Sequence, residues 1–523
     1  MKKKKGFTLV ELLVVIAILA VLATVSVVGY MGFTKKAQES NDIGLTTQMN
    51  TILQAEEVTN KPTTPHEAVK ELANGGVDVE KLTPRTDGYN YVYDLDANRI
   101  FLLNTDKQPV APTNINYTKE NRIFAIVGNE SEYNTWKEYN VYLKTNFEMT
   151  STNLFADLKT GLDVGSNKID NITYTGSSKN EALIRTNGGT LTINAGADTV
   201  YHYGASDYVN IIAINTSSYH EFGASAYARI ASGHFVVESS AKIVNLNIAS
   251  SSVTVTEESG SSVGAYSKSE KNVTVTVNGT TKEVDDVKSE DDIKNVVNNS
   301  EVVAEGGVAE VNGIKFTSLQ AALNTAINGS KITVLEDIDL KLTASLNKNV
   351  NVTLDLNGKT ITNTTDLWEN PDADSSNWSL ISVKNGNLLI TGNGSLKAKA
   401  NDCYAVDIQN GATCTIENGT FVGNIHAVYV VTGTCNVKGG HYSIQQLYHD
   451  ASKAYEFVLN LYDANRKNGT AEITVTGGIF EKFNPTDCKA EGDHTNFCPK
   501  GYKAVSSIIP STQNDLQYTV VKE

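Results

Sequence analysis

The chain has 523 residues and a formal net charge of −15, with 20% charged and 40% hydrophobic residues. It is too long for one small core, which predicts about two to four domains, and this balance of charged and apolar residues excludes a disordered chain. The acidic surplus argues against nucleic acid as a partner, because phosphate binding needs clustered Lys and Arg; it reads as a solubility device.

Lys2 to Lys5 precede Gly6, and Phe7, Thr8, Leu9, Val10 and Glu11 open an almost unbroken apolar run to Phe33. A run of about 25 residues, roughly 37 Å as a helix, can cross a bilayer with some tilt. Lysines before it and none within it predict a cytoplasmic N-terminus, with everything after Lys35 outside. A secretory signal peptide would have a shorter apolar core followed by a small-x-small cut site. A plain single-span anchor fits the length but leaves Glu11 unexplained. A carboxylate this deep costs roughly 2.5–3.5 kcal/mol on insertion scales, so it needs a partner.

The order Lys5-Gly6-Phe7-Thr8-Leu9-Val10-Glu11 resembles the type IV prepilin signature of pilins and pseudopilins, over Lys2 to about Lys36. The resemblance implies that a prepilin peptidase cuts between Gly6 and Phe7 and that Phe7 becomes N-methylated. It also implies that Glu11 pairs with the Phe7 amine of a neighbouring subunit during assembly. An ammonium and a carboxylate that meet in a low-dielectric bundle neutralise each other's desolvation cost and fix axial register. Many pilins carry a proline in this helix, whereas the first proline here is Pro62.

Beyond Phe33, Ala37, Ile43, Leu45, Ile52, Leu53, Ala55 and Val58 keep helical spacing. They predict a buried stripe on a continuing amphipathic helix, so that residues 7–60 form one helix ending before Lys61-Pro62. Thr64 caps a second helix with Pro65 in its first turn and Glu67 in a capping position, stopping at Asn74-Gly75-Gly76. Tyr89 to Leu103 reads as a hairpin. A strand over 122–127 and a helix near Trp136 follow. Residues 61–160 are thus expected to form a small α+β head like that of pilins.

From Leu162 onward the chain is rich in Thr, Asn, Ser, Val, Ile and Gly, which predicts short strands and tight turns. Tyr203-Gly-Ala-Ser-Asp-Tyr208 recurs as Phe222-Gly-Ala-Ser-Ala-Tyr227. Cys414 to Phe421 recurs as Cys435 to Tyr442 and as Ile473 to Phe480. A strand, a Gly turn and an aromatic form one rung of a stacked solenoid. Stacked rungs, about 4.8 Å apart, would align Ile416, Val437 and Val475 as an interior ladder. The expected fold is a right-handed parallel β-helix, with a β-sandwich as the alternative. The predicted divisions are a first solenoid over 161–282, an acidic linker over 283–307 with a short helix from Ser289, and a second solenoid with C-terminal cap over 308–523. The second begins with a helix capped by Thr317 or Ser318. This region resembles the pectate-lyase-like β-helix modules of bacterial surface proteins.

Beta-helix folds host polysaccharide lyases and glycosidases, and Asp402, Asp407 and Glu417 lie close in sequence. They form no catalytic constellation, so no catalytic residue, metal or cofactor is expected. The eight histidines show no ligand spacing and read as surface or packing residues. Cys414 and Cys435 read as stacked core thiols, and Cys488 and Cys498, flanking a short loop in an exported tail, as a disulfide locking the cap. The function expected is a pilin-like subunit of a type IV pilus or type II secretion-like pseudopilus, with a surface solenoid that binds a glycan or a protein. A tethered carbohydrate-active enzyme, or a pseudopilin of a secretion or DNA-uptake machine, is the alternative. Expected partners are the prepilin peptidase, other pilin subunits and the membrane.

Overall fold

The computed structural model describes residues 8–56, 61–113, 122–176, 181–194, 199–214, 218–368, 377–450 and 453–523. Its first element, α1 (Leu9–Glu56), is one helix of 48 residues, as a stretch without an internal proline permits. From Leu9 to Val27 and from Tyr30 to Phe33 its large apolar side chains are exposed, and the span is long and apolar enough to cross a membrane. The expected end near Asn60 lies outside the described residues, as does Val58.

The chain divides into two compact units. The first comprises Met1–Leu154, Leu158–Asn167 and Glu181–Arg185. Here the C-terminal half of α1 is docked on a face that takes in part of the expected stripe, with Leu53 buried and Ile43, Leu45 and Ile52 half-buried. The residues buried are Asp42, Thr46, Met49 and Leu53, while Ala37 and Ala55 stay exposed. Polar side chains on the same face take part in the docking. The Asp42 carboxylate accepts the amides of Arg85 and Thr86 at 2.8 and 2.9 Å. Asn50 donates to the Ile100 carbonyl at 2.8 Å and accepts its amide at 2.7 Å. Buried backbone groups must be paired, and α1 pairs these with side chains rather than with a sheet neighbour.

Helix α2 (Pro65–Asn74) starts at the Thr64 cap, whose side chain accepts the Glu67 amide. Strands Asn90–Asp94 and Arg99–Leu103 form the expected hairpin, turning at Asn98 with φ of 49°. The first hairpin strand also pairs antiparallel with Ile123–Asn129, which runs through α3 (Glu130–Trp136) to a parallel partner, Asn140–Glu148. Asp163, fully buried, accepts the His66 amide at 2.8 Å and lies 3.7 Å from Arg185. The first unit therefore extends past the expected limit at residue 160.

The second unit comprises Phe155–Asp157, Lys168–Asn180 and Thr186–Glu523 and is β-rich. Its strands pair mainly in parallel with the strand one repeat later. Thr199–Ala213 pairs with Ala224–Ile230, that strand with Lys242–Ile248, and that in turn with Ser262–Lys268. The sequence repeat becomes a stack: Tyr208 lies beside Tyr227, and the Tyr203 and Phe222 rings are 4.7 Å apart with 6° between planes. Further along, Cys414, Cys435 and Ile473 align, as do the predicted Ile416, Val437 and Val475. In the same repeats Phe421, Tyr442 and Phe480 stack. Gly419, Gly440 and Gly478, just before those rings, hold φ of 115°, 95° and 104°, a region glycine alone enters freely.

The expected linker over 283–307 is folded into this unit. Its helix α4 (Glu290–Val297) starts with a Ser289–Asp292 capping box and buries Ile293 and Val297. These two join one hydrophobic core that runs from Tyr208 and Tyr227 to Phe421 and Phe480. Helix α5 (Leu319–Thr325), capped by Ser318, buries Leu319, Ala322 and Leu323 in the same core. At the other end the parallel series stops at an antiparallel hairpin, Tyr502–Ile508 with Leu516–Lys522, laid against Ile479–Glu481. Cys488 and Cys498 are separate buried thiols, not the expected disulfide. The reason is register: the Cys488 backbone exchanges hydrogen bonds with Thr495, so Thr495 rather than Cys498 stands opposite it.

Candidate functional site

The candidate assembly site is the start of α1. Gly6 and Phe7 lie outside the described residues. Glu11 is in the first turn. Its carboxylate accepts the Thr8 amide at 2.8 Å and the Thr8 hydroxyl at 2.9 Å, and the Glu11 amide lies 3.3 Å from that hydroxyl. The two residues thus form a reciprocal capping box. Thr8 was read only as part of the motif; the Thr-x-x-Glu spacing is the signal that would have found its capping role. No other charged side chain lies between Glu11 and Lys35, so the helix carries a single carboxylate in its apolar stretch.

The carboxylates weighed as catalytic are each engaged separately. Asp402 accepts the amides of Leu367 and Trp368 and the Asn363 side chain. Asp407 is fully buried, hydrogen-bonded by Ser379, Ser382 and Gln409, and burial pushes its carboxyl up to about 6. Glu417 faces Lys438 at 3.6 Å on the surface. Cys414 and Cys435 stand side by side in adjacent strands, both buried.

One cluster escaped the sequence reading. His202 Nδ1 lies 2.9 Å from both Glu221 carboxylate oxygens, nineteen residues away, and its Nε2 lies 2.7 Å from the Thr186 hydroxyl. The Tyr219 hydroxyl and the Gly223 amide also donate to Glu221. A hydroxyl, imidazole and carboxylate in line can generate a nucleophile, but His202 and Glu221 are 0% exposed. No substrate reaches them, and the cluster pins adjacent strands in register. The signal was available: His202 and Glu221 are one repeat apart.

Residues 1–27 match the family model described as the prokaryotic N-terminal methylation motif. The chain therefore carries a prepilin-type N-terminal methylation motif on a long apolar helix, which fits a membrane-anchored pilin. This motif implies processing by a prepilin peptidase and assembly with other pilins. No curated protein and no solved structure matches the chain.

Proposed function

We propose that this chain is a minor or tip subunit of a type IV pilus or type II secretion-like pseudopilus, displaying a binding region at the cell surface. The observation that carries the reading is the methylation motif at the head of a helix that is bare of protein cover for its first 25 or so residues and docked thereafter. In the proposed path, the peptidase cuts after Gly6, Phe7 is methylated, and its ammonium meets Glu11 of a neighbouring helix within the bilayer. Residues after Lys35 are outside the cytoplasmic membrane.

We read the second unit as a right-handed parallel β-solenoid. Parallel pairing one repeat apart supports this over a sandwich, whose sheets are antiparallel; right-handed crossover is the rule for parallel strands. The size of that unit supports a minor rather than a major subunit, since copies would crowd a fibre made of this chain alone. We assign the solenoid binding rather than catalysis, because Asp402, Asp407 and Glu417 each hold local structure instead of converging.

Two substitutions test the reading. Gly6→Ala should leave a precursor that retains Lys2 to Lys5, visible by mass spectrometry of the membrane fraction. Glu11→Gln should still be inserted and cut but incorporated poorly into fibres. A mature wild-type protein that keeps Met1 and the lysines, or normal fibres from Glu11→Gln, would refute it.

A further inference from the structure

An outward-facing row crosses four successive parallel strands of the second unit: Ser382, Asp407, Tyr429 and Asn460. Their neighbours Val406, Ile408, Val428, Val430, Leu459 and Leu461 belong to the core, so by alternation the row points away from it. A chain of aromatic rings covers this row. Trp368 and Tyr404 meet edge to face at 5.4 Å, and Tyr404 reaches Tyr429 at 5.4 Å and His426 at 4.8 Å. His426 and Tyr429 stack at 5.3 Å, and His426 continues to Phe457 at 6.2 Å. Trp368 is 44% exposed, and Tyr429 and Phe457 are half-buried.

Tyr404 and His426 are buried within this series, which leaves Trp368, Tyr429 and Phe457 as its accessible rings. Hydrogen-bonding groups are interleaved with the rings. Asn460 donates to His426 Nε2 at 3.2 Å, and His426 Nδ1 donates to the Phe457 carbonyl at 2.8 Å, which makes the imidazole a neutral ring. Burial holds its pKa down at about 4. Beneath lies Asp407 with its ring of donors.

We propose that this aromatic track binds a neutral polysaccharide, with pyranose C–H faces on the rings of Trp368, Tyr429 and Phe457 and a hydroxyl at the half-buried Asn460 side chain. Three properties favour this occupant. Neighbouring rings of the track lie 4.8–6.2 Å apart, a continuous series that offers an extended ligand successive contacts. Flat rings with polar edges match the amphipathic faces of a sugar. The chain's net charge of −15, with Glu456 and Asp463 near one end of the track in sequence, repels polyanions and so disfavours acidic glycans and nucleic acid. The inference deepens the display reading, yet binding by the track needs neither cleavage nor assembly.

The test is affinity electrophoresis of the full-length protein in mild detergent, in native gels containing laminarin, hydroxyethylcellulose, amylose, mannan or xylan, with polygalacturonate as the acidic control. At least one neutral polymer should retard the wild type, and polygalacturonate should not. Trp368→Ala and Tyr429→Ala should each weaken that retardation by about tenfold, the loss expected of a stacking ring. Trp368→Phe should restore most of it, and Tyr203→Ala, in a stack elsewhere in the unit, should leave it unchanged. Hydrogen exchange of the Tyr404–Ile408 strand reports whether each variant is folded. Indifference of the wild type to all five neutral polymers, or retardation that survives in a folded variant carrying both Trp368→Ala and Tyr429→Ala, overturns the proposal. Selection of peptides from a displayed library with no glycan binding would assign the track to a protein partner and equally overturn it. Failure of Glu11→Gln to impair fibres would leave this result untouched.

Discussion

Tyr442 offers the sharpest test of the stacked repeats. Its ring is fully buried between Phe421, at 5.1 Å and 12°, and Phe480, at 4.9 Å and 11°, and its hydroxyl donates to the Gly439 carbonyl at 2.7 Å. Tyr442→Phe removes only that hydrogen bond, a loss of about 1 kcal/mol. Tyr442→Ala also removes the ring from both neighbours and leaves a cavity, which for a large buried aromatic costs about 3–5 kcal/mol. Repeats interact with their nearest neighbours, so the damage should be local. A single melting temperature is a poor readout for a chain of two units. Hydrogen exchange of the amides in Thr420–Gly423 and Ile479–Glu481 reads local opening directly. Exchange there should speed about fivefold in Tyr442→Phe and about thousandfold in Tyr442→Ala, since about 1.4 kcal/mol is tenfold. Equal effects of the two variants would refute the stacking argument. So would equal acceleration in Asn90–Asp94 of the first unit.

Two further outcomes follow from named contacts. Asn50→Ala leaves the amide and carbonyl of Ile100 without their helix partner, at a cost of about 2–4 kcal/mol; the Ile100 amide should exchange faster by at least about thirtyfold, and unchanged exchange would show that α1 is docked by other means. His426, whose pKa burial lowers from 6.5 to about 4, contributes stability that is present above 6.5 and lost as pH falls toward 4, because the unfolded imidazole protonates first. The unfolding midpoint of the second unit in the wild type, relative to His426→Gln, should therefore drop across that interval, and a constant difference would contradict the burial.

Features that local chemistry determines were legible in the sequence. The apolar run, the Thr64, Ser289 and Ser318 caps and the Asn98 turn all depend on residues within a few positions of one another. The aligned Ile416, Val437 and Val475 were also legible, because a repeat carries its own register. What failed depends on polar groups acting at a distance. The apolar stripe located only part of the docked face of α1, Leu53 with Ile43, Leu45 and Ile52; it did not show Asp42 and Asn50, which pair backbone groups about fifty residues away. The acidic stretch after residue 283 looked like a linker because its charge hid the Ile293–Val297 spacing of one buried face. His202 and Glu221 are ordinary surface residues by composition, and become a buried pair only once strands one repeat apart are in register. Proximity in sequence likewise misled for Cys488 and Cys498, because the turn between them sets Thr495 opposite Cys488.

The Thr8–Glu11 capping box changes what assembly has to accomplish. A carboxylate in the apolar span was expected to need a partner from another subunit simply to enter the bilayer, at roughly 2.5–3.5 kcal/mol. Two donors from Thr8 already face it and meet part of its hydrogen-bonding need. The local cap therefore lessens what burying the carboxylate costs before any neighbour arrives. What Thr8 cannot supply is a countercharge. Under the proposed assembly that charge is the ammonium that cleavage creates on Phe7 of a neighbour, so processing becomes the step that makes association favourable. This is why Glu11→Gln discriminates better than Glu11→Ala: glutamine retains acceptor and cap while removing the charge, so a fibre defect with normal insertion isolates the ion pair from the helix start.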